Sequence, residues 1–121
     1  MIDHTLRTAA LALEIPLEPV PGEQVVEGTP QTGYIELAPV GAVAATGVDI
    51  GVWEMTAGAM SDVETDEVFV VIAGSAEVEF ESGQRVAYAV GDIGRLRAGQ
   101  RTIWRVGERI RKVYLAPSPI E

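Results

Sequence analysis

Short hydrophobic segments alternate with glycine-, proline- and acid-containing turns from Gln24 onwards. The segments are rich in Val, Ile, Tyr and Trp and show almost no helical periodicity, which predicts an all-β sandwich or barrel. The predicted strands are Tyr34–Ala38, Ala42–Thr46, Val48–Met55, Glu67–Ala73, Ser75–Glu81, Arg85–Val90, Ile93–Leu96, Thr102–Val106 and Arg111–Ala116. The predicted turns are Gly28–Gly33, Ala57–Ala59, Glu81–Gln84, Val90–Asp92, Ala98–Gln100 and Val106–Glu108.

The N-terminal residues differ from this pattern. Residues 5–14 are compatible with a turn or two of helix capped by Thr5. Pro16, Pro19 and Pro21 then impose extended backbone, because proline restricts itself and the residue before it. We therefore predict an N-terminal arm over residues 1–21, packed along its own barrel or on a second subunit, and a barrel over residues 22–121.

Composition excludes several kinds of chemistry. The 121 residues predict one domain and include no cysteine, so disulfides, thiolate metal sites and cysteine nucleophiles are excluded. The single histidine, His4, rules out a multi-histidine metal site within one chain, and we expect it at the surface. No apolar stretch approaches the roughly 20 residues of a membrane span, so we expect a soluble, cytoplasmic protein that does not bind membranes.

Charge is distributed unevenly. The formal net charge of −9 disfavours nucleic acid and anionic membranes as partners. Most basic residues nevertheless fall within one stretch: Arg95, Arg97, Arg101, Arg105, Arg109, Arg111 and Lys112. One interpretation is a solvated strand face that pairs with Glu77, Glu79 and Glu81 across the sheet, and the alternative is an anion-binding rim.

Two stretches carry a family resemblance. In the first, Gly58 is followed by an acidic connection and by Glu67, which lies six residues before Gly74. In the second, Gly91-Asp92 precedes an Ala98-Gly99 turn and a strand. This order resembles the two motifs of the cupin superfamily. The segments VWEMTAG, VVIAGSAEVEF, RAGQRTIW and RKVYLA more narrowly resemble the small single-domain cupins related to (S)-ureidoglycine aminohydrolase. The resemblance implies a cupin double-stranded β-helix, a jelly-roll barrel, and commonly a homodimer, for which strands after Pro21 are candidates for pairing with a partner sheet.

The metal ligands that the resemblance implies are mostly missing. Its His-x-His positions fall on Ser61 and Val63, or on Met60 and Asp62 with a longer spacing, and its later histidine falls on Thr102. A transition metal needs about three or four converging imidazole, thiolate or carboxylate donors. Only Glu67 remains of the usual set, so we predict no metal and no cofactor. A carboxylate site built from Glu67 and Asp62 is the alternative.

Strand alternation predicts which side chains face the interior. If Glu67 points inward, so does Phe69, and Trp104 shares the face of Thr102. The candidate ligand-binding residues are Trp53, Met55, Glu67, Phe69, Thr102, Trp104, Lys112 and Tyr114. They form either an apolar pocket for a small molecule or a barrel core without free space.

Two hypotheses concern the charged groups. Lys112 neutralises a buried Glu67 across the barrel in place of a metal, or Lys112 reaches solvent and Glu67 is half exposed. The acidic residues Asp62, Glu64, Asp66 and Glu67 form a solvated loop or, as the less favoured alternative, supply an acid/base pair. We assign no catalytic residue. The preferred function is a metal-free binding or structural module for a small organic acid or other metabolite, and the alternative is a small-metabolite hydrolase, isomerase or lyase.

Overall fold

The structure is a computed structural model that describes residues 6–37 and 45–118. The strands within these ranges are β1 (Glu18–Pro19), β2 (Val25–Glu27), β3 (Gln31–Leu37), β4 (Val48–Val63), β5 (Glu67–Phe80), β6 (Arg85–Ala89), β7 (Ile93–Leu96) and β8 (Arg101–Pro117). A single 3-10 turn, Gly22–Gln24, precedes β2. All strand pairs are antiparallel, and the predicted all-β fold is confirmed.

The long strands β4, β5 and β8 each contribute to both walls of the barrel. The first half of β4 pairs with β3 and with the end of β8, whereas its second half pairs with β2 and with the start of β8. Strand β5 behaves alike, pairing first with β7 and later with β6. Register shifts at Thr56/Gly58 and Val71/Ala73 mark the bends. Such bulges increase the local twist and let one strand turn a corner, which closes the jelly roll.

Several predicted turns are instead positions inside a strand. Ala57–Ala59 and Val106–Glu108 lie within β4 and β8, and the two strands predicted on either side of Gly74 are one strand. Gly58 has φ 139° and lies so close to Pro30 and Glu27 that a side chain would clash. Glycine therefore marks a bulge here, and the hydrogen-bond ladder continues past it.

Other boundaries follow the prediction more closely. Strand β7 has the predicted bounds, and the turns at Glu81–Gln84, Val90–Asp92 and Ala98–Gln100 are confirmed. Strand β3 begins at Gln31, inside the turn predicted for Gly28–Gly33. Of the strand predicted at Ala42–Thr46, residues 42–44 lie outside the described residues, while Ala45 and Thr46 are not extended.

The described part of the arm packs on its own barrel. Residues 6–14 contain one turn, closed by Ala12 N–H to the Ala9 carbonyl, instead of the predicted helix. A helix this short is marginal without tertiary contacts, and the following prolines prevent its extension. Strand β1 pairs with β3, and Arg111 Nη1 donates to the Ala10 carbonyl at 2.7 Å. Thr5 and His4 lie outside the described residues, and the boundary at residue 21 stays a prediction.

The core lies between the two walls. Trp104, Phe69 and Met55 are among its largest fully buried side chains, together with Ile110 and Val52. Trp104 contacts Trp53 and Phe69, with ring centroids 5.5 and 5.8 Å apart. Packing between these aromatic side chains therefore connects one wall of the barrel to the other.

The pairing of β2 and β3 bears on the expected homodimer. The strands after Pro21 pair within the chain, since β2 and β3 both bind β4. Their expected pairing with a partner sheet stays a prediction. The homodimer itself stays a prediction.

Among residues 6–37 and 45–118, no helix has the length and apolar character needed to cross a membrane.

Candidate functional site

The Lys112 ammonium lies inside the barrel. Its side chain is 6% exposed, and Nζ donates a hydrogen bond of 2.6 Å to Glu67 Oε2. Nζ also lies 4.6, 4.5 and 4.6 Å from the ring centroids of Trp53, Phe69 and Trp104. The carboxylate and the three ring faces replace the water that the ammonium loses on burial. The hypothesised pair is therefore present, and the alternative with Lys112 in solvent is wrong.

Strand register explains how these groups meet. Lys112 on β8 is opposite Trp53 on β4 and Val71 on β5, and Phe69 is opposite Tyr114 and Gly94. A Cβ at Gly94 would overlap the Phe69 ring. Glycine at this position of β7 therefore leaves the space in which Phe69 lies flat beneath the ammonium.

Glu64 is a buried residue of the site that the sequence prediction missed. Its side chain was assigned to a solvated loop, yet the residue is 8% exposed. Glu64 Oε2 accepts hydrogen bonds from Thr102 Oγ1 at 2.6 Å and from Trp104 Nε1 at 2.9 Å. This carboxylate therefore satisfies the buried hydroxyl of Thr102 and the buried indole N–H of Trp104. Residues in a loop follow no periodic pattern, so strand alternation could not predict that Glu64 is buried.

The connection between β4 and β5 is held against the β7–β8 turn. Glu64 N–H donates to the Gln100 carbonyl at 2.8 Å, and Gly99 N–H donates to the Glu64 carbonyl at 2.9 Å. Asp66 Oδ1 accepts from Ala98 N–H at 2.9 Å. The solvated acidic loop is therefore corrected to an anchored segment, although Thr65 and Asp66 remain exposed.

Asp62 lies at the end of β4, on the same face as the buried Met60. Partial burial raises the pKa of the Asp62 carboxyl, and the nearby Glu64 carboxylate raises it further. The Val63 N–H and the Lys112 ammonium act in the opposite direction. Asp62 therefore ionises less readily than an exposed aspartate.

A cavity of about 320 Å³ opens beside Lys112. We call it the Lys112 cavity; its walls are Tyr34, Trp53, Met60, Asp62, Val63, Glu64, Thr65, Glu67, Trp104, Lys112, Tyr114 and Ala116. Of the predicted ligand-binding residues, Trp53, Glu67, Trp104, Lys112 and Tyr114 line it. Met55 and Phe69 are packed in the core, and Thr102 is buried against Glu64. The interior is thus a filled core at one end and a cavity at the other.

Tyr114 reaches the cavity because β4 has a glycine opposite it. Gly51 is its register partner, and a Cβ there would overlap the phenol. Burial raises the pKa of Tyr114 to about 12, with smaller contributions from Glu36 and other nearby groups. The phenol therefore stays protonated over the physiological pH range and can donate a hydrogen bond.

The residues of the barrel do not fit the metal ion that the resemblance implies. Thr102 uses its hydroxyl on Glu64, and Ser61 Oγ donates to the Gln24 carbonyl at 3.3 Å. Met60 is buried in the core, and one carboxylate oxygen of Glu67 is already occupied by the Lys112 ammonium. Within residues 6–37 and 45–118, no three His, Cys, Asp or Glu side chains converge as a metal site would require. For the carboxylate alternative of Glu67 with Asp62, Glu67 is engaged by Lys112, and the neighbouring Glu64 is engaged by Thr102 and Trp104.

The basic residues mostly pair with carboxylates. Arg105 lies 2.7 Å from Glu79, and Arg101 lies 3.5 Å from Glu81, as the cross-strand interpretation predicts. Glu77, the third predicted partner, instead pairs with Arg85, which the prediction did not include. Arg85 also lies 3.5 Å from Glu79, and Glu54 binds Arg109 at 3.0 Å and Arg111 at 2.7 Å.

Glu54 was also not identified from the sequence as a partner of the basic residues. It binds Arg111, which also contacts Ala10 of the arm, and this arrangement is not predictable from strand alternation. In the part of the chain that the structure describes, Arg95 and Arg97 form no ion pair.

Comparison with known proteins agrees with this architecture. A family model described as the EutQ-like cupin domain matches residues 44–114. A DUF861-family protein of unknown function from Pseudomonas syringae pv. tomato is 25% identical, with a TM-score of 0.71 over 88% of this chain. The chain spans only 45% of that protein's length. No curated protein matches.

Two more solved structures share the fold. The EutQ protein of Clostridium difficile is 18% identical with a TM-score of 0.60, covering 74% of this chain and 64% of its own. A protein of unknown function from Rhizobium leguminosarum bv. viciae is also 18% identical with a TM-score of 0.60, over 73% and 82%. At these identities the likeness concerns the fold alone. The family match covers more than half of the chain, and the protein belongs to the EutQ-like cupin domain family.

Proposed function

We propose that the chain is a metal-independent cupin that binds a small metabolite in the Lys112 cavity. The observation that carries the proposal is the position of the Lys112 ammonium, which is paired with Glu67 and surrounded by three aromatic rings. A cation fixed by the protein itself takes the place beside Glu67 where the resemblance implies a metal ion. The adjoining cavity combines aromatic walls with charged groups that could fix the orientation of a ligand, as small-molecule sites do.

The metal-independent part of the proposal has a direct test. Protein purified without chelator or affinity tag is subjected to elemental analysis and then to thermal melting with added divalent metals. We expect no near-stoichiometric metal and no saturable rise in Tm. A rise in Tm that saturates with one ion would contradict the proposal, and Glu67 and Asp62 would be the first residues to substitute.

The binding part can be followed by intrinsic fluorescence. The chain has only two tryptophans, Trp53 and Trp104, and both line the cavity. A metabolite panel containing cations, neutral molecules and anions is screened for a saturable fluorescence change with a matching rise in Tm. Ala116→Leu adds a bulky side chain to the cavity wall and is expected to obstruct binding and abolish the response, whereas Ala87→Leu on exposed β6 is the matched control. Binding that survives Ala116→Leu would place the ligand elsewhere.

Asp62 supports an enzyme as the second candidate. A carboxyl group whose pKa is raised by burial, in a cavity, is suited to general acid catalysis. The reaction would be that of a small-metabolite hydrolase, isomerase or lyase, the class that the resemblance to ureidoglycine aminohydrolase-related cupins implies. In that case Asp62→Asn lowers the turnover of a bound metabolite far more than it lowers its affinity. A bound metabolite recovered chemically intact after prolonged incubation favours the binding module.

A further inference from the structure

The Lys112 cavity contains more carboxylates than cations. Asp62, Glu64 and Glu67 line it, and Lys112 is the single basic residue among its walls. That ammonium already donates to Glu67 and faces three aromatic rings. A ligand that entered would therefore meet excess negative charge that the protein leaves uncompensated.

Three carboxylate oxygens have no hydrogen-bond donor from the described part of the chain. They are Asp62 Oδ2, Glu64 Oε1 and Glu67 Oε1, while the other oxygen of each group accepts a protein donor. The Glu64 oxygen carries the most weight because this residue is only 8% exposed. A buried polar atom without a partner is costly, so such an atom indicates a donor supplied from outside the protein.

The walls suit an organic cation. Tyr34, Trp53, Trp104 and Tyr114 line the cavity, and an aromatic face attracts a cation within about 6 Å of its centroid. The protein's own Lys112 shows that Trp53 and Trp104 accept an ammonium at 4.6 Å. An anion at the same place would meet the carboxylates instead.

We infer that the ligand of the Lys112 cavity is a small organic ammonium compound, held by Asp62, Glu64 and Glu67 between aromatic walls. The inference rests on the proposed function, that the cavity binds a metabolite. It replaces the organic acid considered from the sequence with a ligand of opposite charge. The volume of about 320 Å³ restricts the compound to a small metabolite.

The experiment compares three probes of one carbon skeleton: n-butylammonium, n-butanol and butyrate, each titrated at constant ionic strength against tryptophan fluorescence. We expect saturable binding of n-butylammonium at least about tenfold tighter than that of n-butanol, and no binding of butyrate. Asp62→Asn is expected to weaken n-butylammonium binding by roughly tenfold, since it removes one of the three carboxylates. Glu81→Gln removes one exposed charge that does not line the cavity and is expected to change affinity less than about twofold.

The outcomes separate this inference from the proposed function. If n-butanol or butyrate binds as tightly as n-butylammonium, the ligand is not a cation, although the cavity still binds small molecules. Equal weakening by Asp62→Asn and Glu81→Gln would show that only net charge acts, which also overturns the inference. If no probe binds, the inference fails, and the metabolite screen with Ala116→Leu then decides the proposed function on its own.

Discussion

Lys112 Nζ on β8 and Glu67 Oε2 on β5 lie 2.6 Å apart inside the barrel, with both side chains largely shielded from solvent. Removing one partner of such a pair leaves the other charge buried and uncompensated, which typically costs about 3–5 kcal/mol. Replacing both by apolar groups of similar size can be nearly neutral. The pair is therefore expected to behave as a coupled unit.

A double-mutant cycle tests this coupling. Lys112→Met and Glu67→Leu are each expected to lower the free energy of unfolding by about 3 kcal/mol. The double variant should lose less than the sum, with a coupling energy above about 1 kcal/mol by urea denaturation. Strictly additive losses would mean that the two groups do not stabilise each other.

Glu64→Leu should destabilise the fold, although Glu64 lies in a loop. Thr102 Oγ1 and Trp104 Nε1 would both lose their acceptor in a buried site, at a cost of about 1–3 kcal/mol each. We expect a loss of about 3 kcal/mol in urea denaturation. Glu81→Leu removes a carboxylate whose side chain is 70% exposed and should change stability by less than about 0.5 kcal/mol. Equal effects of the two substitutions would contradict the assigned role of Glu64.

Gly94→Ala tests the packing beneath Lys112. The added methyl group would overlap the Phe69 ring, which is 1% exposed and packed in the core. Overpacking of this kind costs about 1–3 kcal/mol. Gly107→Ala is the control, because nothing lies within 4 Å of a Cβ there. The prediction is wrong if both variants melt at the same temperature as the unsubstituted protein.

Tyr114 should make stability fall at high pH. Its pKa is raised from 10.0 to about 12 in the folded chain, so between these values the unfolded chain loses the proton and the folded chain keeps it. The folded state then binds more protons, and the free energy of unfolding decreases as pH rises through this window. A spectrophotometric phenolate titration should show a late step near pH 12 that disappears in Tyr114→Phe. It should persist in Tyr34→Phe, and its persistence in Tyr114→Phe would assign it elsewhere.

The homodimer expected from the sequence can be checked by light scattering. A dimer has twice the chain mass of 12.9 kDa. We expect that mass at micromolar concentration, because small cupins resembling this chain are commonly dimers. A mass equal to one chain over the same concentration range would overturn the prediction.

Much of the fold follows from residue patterns. Alternation along the strands correctly placed Trp104, Phe69 and Thr102 inside the barrel, because side chains of neighbouring residues point to opposite faces. The Glu67–Lys112 pair could likewise be hypothesised from the sequence, since a buried carboxylate requires a partner. The continuation of β4 through Gly58 and of β5 through Gly74 could not be predicted from the sequence, because glycine is typical both of turns and of bulges.

The absence of cysteine and the presence of one histidine follow from the sequence without any structure, and they already exclude thiolate and multi-histidine metal sites within the chain. Only the tertiary structure placed Glu64 against Trp104, because these residues are 40 positions apart and a loop residue has no periodic pattern. It also showed that Lys112 has Trp53, Phe69 and Trp104 around it at once. That arrangement depends on three strands bending towards one another, and local sequence does not encode the distance between two walls of a barrel.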